Sequence, residues 1–498
     1  MKISLFWVSA LLAPAYGALS NEPDGDSRIK RVIVLMMENR SFDHLLGLNP
    51  NLNVEGIPKG ASQPRDPDDP SLGTVPVTDG GYDVSPDDPQ HSFEETTKQI
   101  NNQRMDGFVR ASILHGEEET NPVSMFTPES APVINTLAEE FAVFDHWYCS
   151  FPGSTDPNRA FAMGGTPDGV DTNFNGTLWG TQSYIDYLNE RGVDAGGYYQ
   201  DDLWALGYYE DFQKPGNAKN IKPMDDFFKD IEEDNLPSFT WLQPRSSTHD
   251  SVLPTWQHPD APVSLGEDLY ASVYNAIRAS AGWNETLFLL TYDEHGGFFD
   301  HVPPPNEGIP NPDGKISPQG FAYDRLGLRV PTIAISPWIP KGVVYNEGFA
   351  PTSTSEFDST SIIATTNELL NVPNPTPLSD RVSWAKRFTD LLLKNDLTEP
   401  RTDCPMTLSS AKTEGFHHED MVTLQKAKPI NEHLEAQILM FCNLNYNEQF
   451  VEGEFCEAAK GYTENQGLAS EWILREQKIW MEKVGWGKTE GGEEGAVA

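Results

Sequence analysis

The sequence predicts an α/β protein built on a largely parallel sheet, and three observations carry that prediction. Three short apolar runs, Arg31–Met37, Thr286–Tyr292 and residues 330–335, lack the in-out alternation of a half-exposed strand and read as strands buried on both faces. Helical spacing of apolar residues fills much of the chain between them, which is the βαβ pattern of a parallel sheet. The 498 residues are 38% apolar and 11% aromatic, enough to bury a large core.

Each element follows in chain order. Met1-Lys2, the apolar run from Ile3 to Ala15 and the small residues Gly17, Ala18 and Ser20 have the layout of a secretory signal peptide, assigned to residues 1–18. No later stretch approaches the ~18 apolar residues of a membrane span. The last residues, 491–498, are too polar for a lipid-anchor signal. A soluble protein of the secretory route, secreted to the extracellular space, is therefore expected. Cys149, Cys404, Cys442 and Cys456 fit an oxidising compartment, and Cys442 with Cys456 is the first pair to expect as a disulfide. Sequons at Asn175 and Asn284 make a glycoprotein plausible, whereas a third at Asn39 lies inside a motif that should stay bare.

Helices are expected over residues 131–141, 266–281 and 359–370. Polar stretches rich in Pro, Gly and Asp, residues 57–88 and 303–319, are too long for plain connections and read as functional loops. Beyond residue 395 a polar linker leads to two further helical segments, 433–442 and 468–484, with Leu468, Trp472, Ile479 and Trp480 expected to pack against the main domain. The formal charge, 35 basic against 75 acidic residues, is −40. That excludes a general nucleic-acid binder and docking on anionic lipid by a basic surface.

The chemistry concentrates where the buried strands end. Glu38-Asn39 follow the first strand at once, and Asp293-Glu294 follow the second. Ligands of open α/β sheets bind beyond the carboxyl ends of strands. Parallel pairing would bring both motifs to one sheet edge, crowding three carboxylates together. Such a cluster calls for raised pKa values or a cation, and its oxygen donors suit a hard divalent ion. In the stretch Pro152–Arg159, Asp156-Pro157 reads as a cap followed by proline at the first helical position. A hydroxyl just ahead of that helix, Ser154 or Thr155, would stand in positive partial charge. His91, His258 and His301 are further candidates, whereas His417 and His418 read as surface residues.

Taken in order, these motifs resemble those of the phosphoesterase family that contains plant non-specific phospholipases C, bacterial phospholipases C and certain bacterial acid phosphatases. The resemblance covers residues 28–395, taken as the catalytic domain, with 396–498 as a helical C-terminal extension of unknown role. It rests on the run Val34–His44, on Asp88-Pro-Gln-His91, Met105-Asp-Gly-Phe108, Phe144-Asp-His-Trp147 and Thr155–Arg159, and on Gln257-His-Pro259, Tyr292–His301 and Arg325–Trp338. The resemblance implies a three-layer α/β/α sandwich of the alkaline-phosphatase type and hydrolysis of phosphoesters. It also implies that Glu38, Asn39, Asp293 and Glu294 bind a divalent metal ion (Ca, Mg, Mn or Zn), that Thr155 is the nucleophile, and that Asn158, Arg159, His91 and His258 contact or protonate the phosphoryl group.

One departure stands out. Asp358-Ser-Thr-Ser-Ile362 replaces the Glu-His-Ser-Ser-Ile of the plant enzymes, putting Ser359 where the family has a site histidine. The expected substrate is a phospholipid, cleaved to diacylglycerol and a phosphorylated head group, with transient contact at a membrane surface. The alternatives are an acid phosphatase on soluble monoesters and an inactive secreted binding protein.

Overall fold

The computed structural model describes residues 28–173, 176–214, 217–409, 418–446 and 455–484. The signal-peptide reading, Asn175 and His417 fall outside the described residues.

Eight strands form the central sheet: β1 (Arg31–Met37), β2 (Ala142–Val143), β3 (Ala195–Tyr199), β4 (Ile221–Pro223), β5 (Phe239–Gln243), β6 (Thr286–Tyr292), β7 (Ile333–Ile335) and β8 (Val343–Val344). Their spatial order is β8-β2-β7-β6-β1-β5-β3-β4. β1 lies at the centre, parallel to β6 on one side and to β5 on the other. Successive side chains of a strand point to opposite faces, and every residue of β6 and all but the first of β1 are buried, so both faces are covered. That is the expected three-layer arrangement.

The third apolar run departs in direction. β7 starts only at Ile333, after Pro331, and runs antiparallel to both β6 and β2. Its apolar residues are buried as the sequence implies, but apolarity is blind to strand direction.

The expected helices are present with shifted ends: Pro132–Glu140, Val263–Ala279 and Ser361–Leu369. The helix carrying the hydroxyl candidates, α1 (Thr155–Gly164), begins earlier than expected. Ser154 holds the cap position, Thr155 is the first helical residue, and Asp156 lies inside the helix. Proline is tolerated at the third position for the same reason as at the first, since the first-turn amides have no intrahelical acceptor. In the C-terminal segment, α2 (Glu432–Tyr446) and α3 (Gln466–Val484) pack into the same hydrophobic core as the sheet. Trp472 and Trp480 are buried there as expected, while Ile479 stays exposed. The disulfide Cys442–Cys456 ties α2 to the segment leading into α3, and Cys149 and Cys404 are buried free thiols.

Candidate active site

The register of the sheet builds the site. Met37 of β1 stands opposite Tyr292 of β6, so Glu38 and Asp293, the next residues of each, emerge side by side. The two loops then lock together. Asp293 Oδ1 accepts the Asn39 N–H (3.0 Å), and Arg40 N–H donates to the Glu294 carbonyl (3.0 Å). Asn39 adopts a left-handed backbone (φ 56°), which asparagine tolerates better than most residues. Gly296 (φ 63°) passes so close to the Asn39 carbonyl that a Cβ would collide with it. At Gly297 (φ 72°) a Cβ would lie 2.7 Å from the Gln90 carbonyl, on the loop that carries His91. Asn39 is fully buried, in keeping with a sequon that stays bare.

α1 faces these loops. The Thr155 hydroxyl donates to Glu38 Oε1 (2.9 Å) and lies 3.3 Å from Asn39 Oδ1. Arg159, one turn further along, is fully buried. Its Nη2 meets Glu38 Oε2 (2.5 Å) and the Met37 carbonyl (3.1 Å), its Nε meets Asp293 Oδ2 (3.1 Å), and its guanidinium stacks on Trp204. Nη1 is left without a partner. Burial, then the neighbouring Asp293, pushes the Glu38 carboxyl well above its ordinary range despite the guanidinium of Arg159.

Asn158 departs from its expected role. Its amide Nδ2 donates to the carbonyls of Phe151, Gly153 and Ser154, and its Oδ1 accepts the Phe151 N–H. A side chain spent on four backbone groups shapes the loop that presents Thr155 and has nothing left for a phosphoryl oxygen.

The two histidines enter from opposite loops. His91 Nδ1 faces the Pro89 carbonyl (2.7 Å), which turns Nε2 toward Asn39 Nδ2 (3.3 Å) and Glu294 Oε1 (3.8 Å). His258 stacks on Trp256, its Nδ1 faces Asp260 Oδ1 (2.8 Å), and its Nε2 faces Asp88 Oδ2 (3.5 Å). Burial works against protonation of both rings. It is outweighed by the Glu294, Glu432 and Asp88 carboxylates at His91, and by Asp88, Asp260 and Glu432 at His258, so both lie well above the ordinary histidine value. Burial raises Asp88 to about 7. Asp260 is held at about 2, because His258 outweighs its burial.

His301 lies elsewhere. It pairs with Asp43 (2.7 Å), and Asp43 and Asp300 in turn bind the buried Arg329. Ser359 is fully buried, and its hydroxyl finds no partner. Its neighbour Asp358 pairs with Arg381 and accepts from Ser150, on the segment leading to Thr155.

Among the described residues, two groups of acidic and histidine side chains could hold a metal ion: Asp43 with Asp300 and His301, and Asp88 with His258 and Glu432. The predicted set differs, because Arg159 already occupies one oxygen each of Glu38 and Asp293. The remaining donors nonetheless fit a hard cation. Glu294 Oε1 is fully buried without a hydrogen-bond partner, and the Thr155 hydroxyl lies against both Glu38 Oε1 and Asn39 Oδ1.

Sequence reasoning missed Asp88 and Asp260 as partners of the histidines, although both lie within the quoted motifs or next to them. It missed Glu432 altogether. That residue sits 174 positions beyond His258, and no local pattern marks it.

A hydroxyl at a buried helix start, facing carboxylates, an arginine and two histidines, is the equipment of a hydrolase acting on phosphoesters. The chain belongs to the phosphoesterase family, which it matches over residues 29–373. It is similar to non-specific phospholipase C6 of Arabidopsis thaliana, 40% identical over 400 residues that span 77% of this chain and 75% of that one. Non-specific phospholipase C3 of the same plant is 37% identical over 411 residues, covering 77% and 76%. Phospholipase C B of Mycobacterium tuberculosis is 28% identical over 406 residues, covering 69% and 75%. Solved structures it resembles include an alkaline phosphatase superfamily protein of Vibrio parahaemolyticus, at TM-score 0.32, 12% identity and coverage of 69% and 67%. No helix among the described residues is long and apolar enough to cross a membrane.

Proposed function

We propose that the chain is a secreted phospholipase C that cleaves phospholipids to diacylglycerol and a phosphorylated head group through Thr155. The observation that carries this is the Thr155 hydroxyl at the start of α1, hydrogen-bonded to Glu38 and one helical turn from the unpartnered Nη1 of Arg159. The names of the relatives supply the phospholipid, and the apolar leader and Cys442–Cys456 support the secretory route.

In the first step Thr155 Oγ forms a bond to phosphorus as the bond to the diacylglycerol oxygen breaks. Its proton passes to Glu38, which already accepts its hydrogen bond. His258 or His91 protonates the departing oxygen. Arg159 Nη1 takes up charge on the phosphoryl oxygens. Water then attacks phosphorus and gives a proton to the histidine that protonated the departing oxygen, while the bond to Thr155 breaks, its oxygen takes back the proton held by Glu38, and the phosphorylated head group leaves. Glu38, Asn39, Asp293 and Glu294 would hold a divalent cation, and when bound it would supply further neutralisation of phosphoryl charge.

The test is a product assay on phosphatidylcholine with the purified protein, alongside metal analysis. Diacylglycerol and phosphocholine, both abolished in Thr155→Ala, are expected. Turnover of p-nitrophenyl phosphate without phosphatidylcholine cleavage would make the protein a phosphatase instead. Undiminished rates in Thr155→Ala would remove the nucleophile.

A further inference from the structure

The C-terminal segment reaches into the site. Glu432 is the first residue of α2, and its Oε1 lies 3.2 Å from His258 Nε2 and 3.6 Å from His91 Nε2. These are the two ring nitrogens that remain once Asp260 and the Pro89 carbonyl occupy the two Nδ1 atoms. A single carboxylate oxygen therefore spans both histidines. It does so from an element 174 residues from the nearer of them.

The placement of Glu432 is fixed by several independent contacts. Asn431 Nδ2 and Gln466 Nε2 both donate to Asp260 Oδ2 (3.0 and 2.7 Å), while Asp260 Oδ1 holds His258. Lys428 reaches the Asp260 carbonyl (3.0 Å). On the far side of Glu432, His433 packs between Trp204 and Trp256 and bonds Ser246 (2.7 Å) and Gln437 (2.7 Å). Trp204 is the ring under Arg159, and Trp256 is the ring under His258. The aromatic pair that shapes the catalytic side thus also seats the helix that delivers Glu432. A side chain held this firmly against two imidazole edges fixes the orientation of the two rings relative to each other.

We propose that Glu432 is a positioning residue for the phosphoryl-transfer site, aiming the Nε2 edges of His91 and His258, so that the C-terminal segment is part of the catalytic unit. This rests on the phosphoesterase reading above. The test compares full-length wild type with Glu432→Ala, Glu432→Asp, and Met440→Ala, which loosens the core side of the same helix without touching either histidine.

On phosphatidylcholine micelles, Glu432→Ala should lower kcat ~10–100-fold with little change in KM, an effect of the size seen when an orienting carboxylate is lost. Added formate or the shorter carboxylate of Glu432→Asp should restore part of the rate, and Met440→Ala should lower the thermal midpoint with kcat retained. Wild-type kcat in Glu432→Ala overturns the proposal. So does a loss that formate and Glu432→Asp leave uncorrected, or one that Met440→Ala reproduces. Failure of the underlying reading looks different, because wild type itself would then leave the phosphoester uncleaved.

Discussion

Arg159 holds together a charge arrangement that would otherwise oppose folding. It bridges Glu38 and Asp293 where all three side chains are out of contact with water. Lysine at this position would keep the charge but could not span both carboxylates and the Met37 carbonyl. Arg159→Lys should therefore keep most of the stability while kcat/KM falls by roughly 10²-fold, as when a preorganised donor is removed from a site. Steady-state kinetics beside urea unfolding checks this, and an unchanged kcat/KM would show that Arg159 is structural only. Thr155 gives the sharper contrast. Its removal to alanine should cost at least ~10³-fold in kcat, the scale of losing a nucleophile, without a shift in the unfolding midpoint.

At the scale of elements, the two strand-end loops function as one piece because glycine lets them approach. Gly296→Ala would force a left-handed residue with a Cβ against the Asn39 carbonyl. The backbone cost alone is about 1–2 kcal/mol, and relief requires moving Asn39. Urea denaturation should show at least that loss, and turnover should fall with it. A variant as stable and active as wild type would mean that the loops are less tightly coupled than their geometry implies. Much of this level is legible in the sequence. The runs ending at Met37 and Tyr292 mark both strands, and the acids that follow them mark the site. The start of α1 is less legible, because Asp156-Pro157 satisfies local rules at one position while the chain caps at Ser154. The direction of β7 is not legible at all, since an apolar run buries equally well either way.

For the whole molecule, Asp260 links stability to pH. Its folded value of about 2 lies below the ordinary 3.8, so its contribution is complete above about pH 4 and is lost as pH falls from about 4 to 2. His258 has the opposite sense. Its raised value makes its contribution complete below the ordinary histidine pKa and lost as pH rises through the folded one. Because Asp260 also receives Asn431 and Gln466, acid should loosen the C-terminal segment from the sheet. The melting midpoint should therefore drop between about pH 4 and 2 in wild type and much less in Asp260→Asn; parallel curves would refute the linkage. The charge of −40 acts at this scale too. A surface that repels anions favours zwitterionic head groups, so cleavage of phosphatidylcholine vesicles should slow as anionic lipid is added at low salt. A rate that rises instead would contradict that reading.

Sequence by itself determined the α/β class, the strand-end acids, the Thr155 segment, the two histidines His91 and His258 as candidates and the family, because each is written in local runs of residues or in ordered motifs. It also made Cys442 and Cys456 the natural pair. The tertiary structure decided what local patterns cannot encode. It spent Asn158 on the loop, gave His301 to the Arg329 network, placed Arg159 between Glu38 and Asp293, and brought Glu432 onto His91 and His258 from the far end of the chain. The physical reason is the same in each case: a side chain's role depends on which partners are within hydrogen-bond reach, and those partners are set by strand register and helix packing across hundreds of residues.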